Sequence, residues 1–188
     1  MLNSASKFIA IFLLSASLSS CHYHFGHGEL SERYSTLSVP YIEGDRDGDL
    51  TTEVIKQITT SGSFSYLSTG ADLLLTVKID DYDSQNIGYR YDRKKEGKIK
   101  KDLIPTETRV KVLAVVTLKD AATGQIVRGP TTLIADNDFD HDFYFSRHAE
   151  NVYSLGQLND IDAAEDAVMR PLNKKLAEKI VDYVTNSW

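Results

Sequence analysis

The sequence is short of several things, and each shortage closes off a class of protein. It has one cysteine, so no internal disulfide can form and a Cys₄ or Cys₂His₂ zinc centre is excluded. It has no basic excess: 21 Lys and Arg stand against 27 Asp and Glu, a net charge of −6. A general nucleic-acid binder needs a broadly basic surface, so nucleic acid is not an expected partner. No apolar run reaches the roughly 20 residues that span a bilayer as a helix. Gly-rich phosphate loops, serine elbows and HExxH patterns are absent too. No catalytic residue is nominated, and neither a cofactor nor a resident metal is expected.

What is present begins with the N-terminus. Lys7 precedes an apolar run from Phe8 to Leu18 that fades into small residues. A charged start, a short apolar segment and small residues at its end mark a secretory signal. Leu18-Ser19-Ser20-Cys21 sharpens this into a bacterial lipobox, with Cys21 as the acylated first residue of the mature chain. Two or three acyl chains hold a protein stably at a membrane, at about 0.8 kcal/mol per buried CH₂. The expected organisation is a signal over residues 1–20, a lipidated tether over 21–33 and one domain over 34–188. Without the first 20 residues the chain has 168, and the loss of Lys7 moves the net charge from −6 to −7. A core of that size is sufficient without disulfides.

Within the domain, hydrophobic periodicity alternates between two kinds. Leu37, Val39 and Tyr41 share the face of a strand, with Pro40 at an edge or strand end. Asp49 is the expected N-cap of a helix carrying Leu50, Val54 and Ile58, with Gly62 beyond its end. A minor strand is expected near Phe64. Asp72 to Asp83 alternates strictly, Leu73, Leu75, Val77 and Ile79 against Leu74, Thr76, Lys78 and Asp80, so one face needs burial. Glu107 to Lys119 is a second long strand, with Val110, Val112 and Ala114 on one face and a shift at Thr117 to Leu118. A Gly124 hairpin loop returns the chain as Gln125 to Asp136. From Ile161 to Ser187 the period turns helical through Ala164, Val168, Leu172, Leu176, Ile180 and Val184, with Pro171 predicting a kink or a division into two helices. The fold class is α/β (α+β): a two-layer sandwich with a roughly four-stranded, mostly antiparallel sheet and two helices on one face.

Charge is distributed unevenly. The polar connection from Asp83 to Pro105 contains seven bases: Arg90, Arg93, Lys94, Lys95, Lys98, Lys100 and Lys101. With Asp92 and Glu96 among them, the stretch 90–101 carries +5, which leaves −12 for the rest of the mature chain. A solvated loop and an anion-contacting tip are both consistent with that run. Tyr89 and Tyr91 add amphipathic rings beside the charges. The acidic segment Asp136 to Tyr144 alternates like a calcium loop. His141 replaces the obligatory glycine and Arg147 the bidentate glutamate, so it lacks the ligands. Asp45 to Asp49 fails likewise, with Lys56 at the glutamate position. His22, His24 and His27 cluster beside Cys21 without a scaffold to hold a metal.

Several of these pieces, in order, resemble the LPS-assembly lipoprotein family, LptE. They are Cys21 to Gly26, Leu37 to Tyr41 before an acidic turn and helix, Ala71 to Val77, Val110 to Gln125, and Leu176 to Val181. The likeness covers the whole mature chain. His22 departs from it, since family members usually place glycine after the cysteine, and the acidic segment and the length of the basic loop do not map onto it, so the match there is to the loop alone. The resemblance implies an outer-membrane lipoprotein facing the periplasm, not an enzyme. It would be plug and partner of an LptD-type β-barrel and a binder of lipopolysaccharide, with the seven bases as candidate contacts. The alternative is a lipid-anchored adaptor that docks another envelope protein without binding lipopolysaccharide.

Overall fold

A computed structural model describes residues 29–93, 98–141 and 161–186. Cys21, the three clustered histidines, Lys94, Lys95, Tyr144 and Arg147 lie outside them, and so do the signal and most of the tether. The elements in chain order are α1 (Glu29–Arg33), β1 (Thr36–Ser38), α2 (Asp49–Ser61), β2 (Ser65–Tyr66), β3 (Leu73–Arg93), β4 (Ile99–Asp120), β5 (Ile126–Asp140) and α3 (Ile161–Thr185). The five strands form one open sheet in the order β2-β1-β3-β4-β5. β1 lies parallel to β2 and β3, and the β3, β4, β5 ladder is antiparallel. The class is therefore the expected α+β sandwich. The fifth strand is the two-residue β2, where a minor strand was expected.

One face of the sheet is the core. Leu73, Leu75 and Val77 of β3 meet Val110, Val112, Ala114, Val116 and Leu118 of β4. Leu50, Val54 and Ile58 of α2 cover them together with Val168, Leu172, Leu176, Ile180 and Val184 of α3. The i, i+4 spacing of both helical stripes is what lets each helix lay a single apolar edge on the sheet. The opposite face stays open: Thr76 and Lys78 of β3 are exposed, and Leu74 is half-buried.

Several local expectations need correction. β1 stops at Ser38, before Pro40, and alternation breaks there. Leu37 and Val39 are buried but Tyr41 faces solvent, and Ile42 takes the core position instead. The proline ring cannot donate to a ladder, so the chain leaves the sheet at that point. α2 is not capped by Asp49, which is already its first helical residue. The cap position is Gly48, which offers no side chain. Asp45 does the capping from further back: its carboxylate accepts hydrogen bonds from the amide (2.8 Å) and hydroxyl (2.6 Å) of Thr51. The core face of β4 does not change at Thr117, because Val116 and Leu118 continue it; what shifts there is the register with β5. Pro171 does not divide the last helix, for α3 runs through it as one element. Near the N-terminus, part of the expected tether is the short helix α1.

The sheet's outer edge at β5 is covered by side chains from α3. Lys175 Nζ donates to the Asp136 carbonyl at 2.8 Å and Lys179 Nζ to the Ile134 carbonyl at 2.6 Å. Edge carbonyls satisfied in this way are not available to another chain's strand.

Four carboxylates tie the surface of this fold together. Asp72 accepts from the side chains and amides of Thr36 and Ser35, which holds it below its ordinary range. Asp120 is lowered chiefly by the Thr123 amide, Asp138 by Arg109 and Glu53 by Lys56. Each has a folded-state pKa beneath its unfolded value, so the unfolded chain takes protons first. Their stabilisation is complete above the unfolded carboxylate pKa of about 4 and disappears as pH falls through the folded values. Urea midpoints are expected to stay level between about pH 7 and 5, then drop below about pH 4. Asp72→Asn is expected to lower the plateau and flatten the acid limb.

Candidate functional site

The polar connection between Asp83 and Pro105 is not a loop. β3 and β4 stay paired through it, from Ser84 opposite Val110 out to Arg93 opposite Ile99. Backbone pairing continues where the hydrophobic signal stops, because neither face of this part is filled by the main core. The core ends at Val110 on β4. From Asn86 to Arg93 the ribbon advances a further seven residues, roughly 23 Å at 3.3 Å each. Register shifts after Ile79, around Gly88 and after Tyr91 increase its twist.

A buried polar knot anchors the ribbon's base. The Thr108 hydroxyl donates to Asn86 Oδ1 at 2.8 Å and lies 2.9 Å from His141 Nε2. A hydroxyl has one proton, so with that proton given to Asn86 the histidine must donate through Nε2. His141 is 1% exposed. It had looked like a failed position in a calcium loop. Its place is structural, and only the cross-strand register reveals it. The alternating aspartates have a structural role too. Asp138 lies on β5 and receives a bidentate pair from Arg109, with Nε and Nη2 both at 2.7 Å. Among the described residues no three acidic, histidine or cysteine side chains are grouped to hold a metal.

The two faces of the ribbon differ. On one, Asp92 and Ile104 are buried and Arg90 is partly so. Lys100 reaches Asp92 with Nζ at 2.6 Å from the carboxylate, so its charge is matched within the fold. The other face is open and partly apolar: Tyr89, Tyr91, Ile99 and Leu103 are each between 56% and 61% exposed. Tyr91 stands opposite Leu103 in the ladder. Arg93, Lys98 and Lys101 are exposed around them. Of the seven expected bases, therefore, Arg93, Lys98 and Lys101 are exposed, Lys100 is bound to Asp92, Arg90 is half-buried, and Lys94 and Lys95 lie outside the described residues. The apolar half of this surface was legible only for Tyr89 and Tyr91. Ile99 and Leu103 appeared as ordinary loop residues, because nothing in the sequence says that the ladder brings them there.

The two-layer sandwich thus presents cations and exposed rings together on a long ribbon. The family profile LptE, described as lipopolysaccharide-assembly, matches residues 34–184, and the chain belongs to this family. It is a family of non-enzymatic Gram-negative lipoproteins of lipopolysaccharide assembly. The chain is also similar to solved structures. One is a minor lipoprotein from Acinetobacter baumannii at 16% identity, covering 81% of this chain and 94% of that one with a TM-score of 0.48. Another is rare lipoprotein B from Shewanella oneidensis at 11% identity, covering 80% and 93% with a TM-score of 0.48. No curated protein matches the chain.

Proposed function

We propose that this protein is an outer-membrane lipoprotein that binds lipopolysaccharide through the β3–β4 ribbon while acting as plug and partner of an LptD-type β-barrel. Acylated Cys21 would hold it at the membrane after removal of residues 1–20, with 21–33 as tether and 34–188 facing the periplasm as one domain. The observation that carries this reading is the ribbon's open face. Lipid A is an anionic, phosphate-bearing head on a greasy body. Arg93, Lys98 and Lys101 suit the phosphates, and Tyr89, Tyr91, Ile99 and Leu103 suit the hydrocarbon beside them. Each base near an anionic surface contributes about 1 kcal/mol. Lys100 contributes less than its charge suggests, since Asp92 already holds it.

The test is isolation of the full chain from detergent-solubilised envelope. A large β-barrel protein is expected in equimolar amount, with lipopolysaccharide in the complex. Recovery of the protein with a different envelope partner and no lipopolysaccharide would replace this reading with that of an adaptor.

A further inference from the structure

β3 has two edges, and they are treated differently. On one side it is paired with β4 from Leu73 to Arg93. On the other, β1 reaches only Leu73 and Leu74. The loop after β1 touches this second edge once more: Glu43 accepts from the Ile79 amide at 2.8 Å and donates to the Val77 carbonyl at 3.2 Å. Beyond Ile79, among the described residues, no backbone group bonds to this edge as far as Tyr89. Backbone groups alternate in direction along a strand, and Val77 and Ile79 point to the second edge. The bulge between Ile79 and Asp81 inserts one residue and moves that alternation to Tyr82, Ser84 and Asn86. Their N–H groups, and the carbonyls of Tyr82 and Ser84, therefore face outwards. The Asn86 carbonyl accepts from the Tyr89 hydroxyl at 3.1 Å, which closes the stretch at that end.

All residues from Tyr82 to Asn86 are exposed, so another chain can approach them. A strand edge in that state is a template for an added strand. The other edges of the sheet are not: Lys175 and Lys179 hold the β5 carbonyls, and β2 has only two residues. Charge then selects the occupant. Asp80, Asp81 and Asp83 are exposed on the same stretch. Lys111 stands opposite Asp83 in the ladder, but among the described residues none of these aspartates lies within 4.0 Å of a basic group. On the helix side, Asp47, Asp49, Glu165 and Asp166 border Tyr82 and Ser84, against one cation, Arg46. A second copy would bring its own aspartates to this edge, where like charges on neighbouring strands repel. Lipopolysaccharide, being anionic, is repelled as well. A strand carrying positive side chains is attracted.

We propose that the edge of β3 from Tyr82 to Asn86 is a docking site for an extended, lysine- or arginine-bearing segment of a partner protein, which joins the sheet as an added strand. The outward backbone groups of Tyr82, Ser84 and Asn86 supply the ladder, and the aspartates beside them set the sign of charge that the segment must carry.

The probe is a blocked hexapeptide of alternating lysine and valine, titrated into the full chain while backbone amides are followed by NMR and hydrogen exchange. Saturable binding is expected, with slowed exchange at the Tyr82, Ser84 and Asn86 amides and no change at those of Asp81 and Asp83, which point to β4. Two control peptides separate strand addition from charge alone. One has glutamate in place of lysine, and the other keeps the lysines but is N-methylated at every amide. Each is expected to bind at least about tenfold more weakly. The surface double variant Asp81→Asn/Asp83→Asn is expected to weaken binding of the lysine peptide about tenfold. Ser84→Pro removes one outward N–H that makes no bond in the β4 ladder, and is expected to abolish the protection while leaving the fold intact. Should that variant fail to fold, the aspartate variant and the peptide controls still decide. The proposal is overturned if exchange at the Tyr82, Ser84 and Asn86 amides is unchanged, or if either control peptide binds as well as the first. It is equally overturned if the aspartate variant keeps full affinity, or if sedimentation shows a dimer whose interface protects these amides without peptide. No residue of the ribbon's tip takes part, so the lipopolysaccharide reading and this one fail separately.

Discussion

Reversing the three exposed ribbon charges, as Arg93→Glu/Lys98→Glu/Lys101→Glu, is expected to lower lipopolysaccharide affinity at least a hundredfold. Removing three surface bases forfeits about 3 kcal/mol at roughly 1 kcal/mol each, which is already more than a hundredfold. Reversal adds repulsion to that loss. The fold should survive, because all three side chains are exposed and lie beyond the last core residue of β4. Far-UV circular dichroism and Tm within about 2 °C of the parent are the control. The paired base offers a sharper contrast. Asp92→Asn/Lys100→Gln removes one charge of each sign and leaves hydrogen-bonding groups in place. It is expected to change affinity by less than about twofold, because the net charge is the same and the Lys100 ammonium was held by Asp92 at 2.6 Å. Binding of the parent should also weaken with added salt, since exposed charges are screened over about 10 Å at 0.1 M. Unchanged affinity in the triple variant would remove the ribbon from the binding site. A large loss in the Asp92/Lys100 variant would mean that ribbon geometry, not charge, sets the affinity.

That contrast was not available from the sequence, and the reason is physical. Runs of bases are visible in one dimension, but whether a base is free depends on which residue faces it across a ladder. Lys100 and Asp92 are eight positions apart and meet only because the register of β3 on β4 slips after Tyr91. The same applies to His141, whose partner Thr108 is reached through the β4–β5 pairing. The core, by contrast, was legible. Leu73, Leu75 and Val77 alternate, Leu172, Leu176 and Ile180 recur every fourth residue, and burial against a single sheet face follows from those periods alone. Periodicity reports burial, so it ended where the sandwich ends. The outer ten residues of β3 have no apolar buried face to encode, since what they bury is Asp92 and part of Arg90, and they looked like a connection. Capping of α2 was missed for a related reason. Asp49 has the right residue type in the right place, but Asp45 reaches the same orphan amides through a turn.

The sheet itself can be tested at a position where backbone meets backbone. Gly129 in β5 has φ +89°, and a Cβ built there would lie 2.5 Å from the Val116 carbonyl oxygen of β4. Both halves of that observation penalise a side chain. Holding an L-residue at such a φ costs about 1–3 kcal/mol. The contact adds to this, because 2.5 Å is well inside van der Waals separation and the oxygen belongs to a neighbouring strand rather than a side chain that can rotate away. Val116 is fully buried beneath the helices, so β4 cannot move back without disturbing the core. Gly129→Ala is therefore expected to destabilise the fold by about 3–5 kcal/mol, a fall in Tm of roughly 8–15 °C for a domain of this size. Gly124 is the control. It has φ +71° in the β4–β5 turn, but nothing lies within 4 Å of its added Cβ. Gly124→Ala bears only the conformational term, about 1 kcal/mol. Thermal melts of the two variants thus separate steric contact from backbone preference. Equal losses would mean that β5 relaxes freely at Gly129, and that the sheet edge held by Lys175 and Lys179 is softer than their bonds to its carbonyls imply.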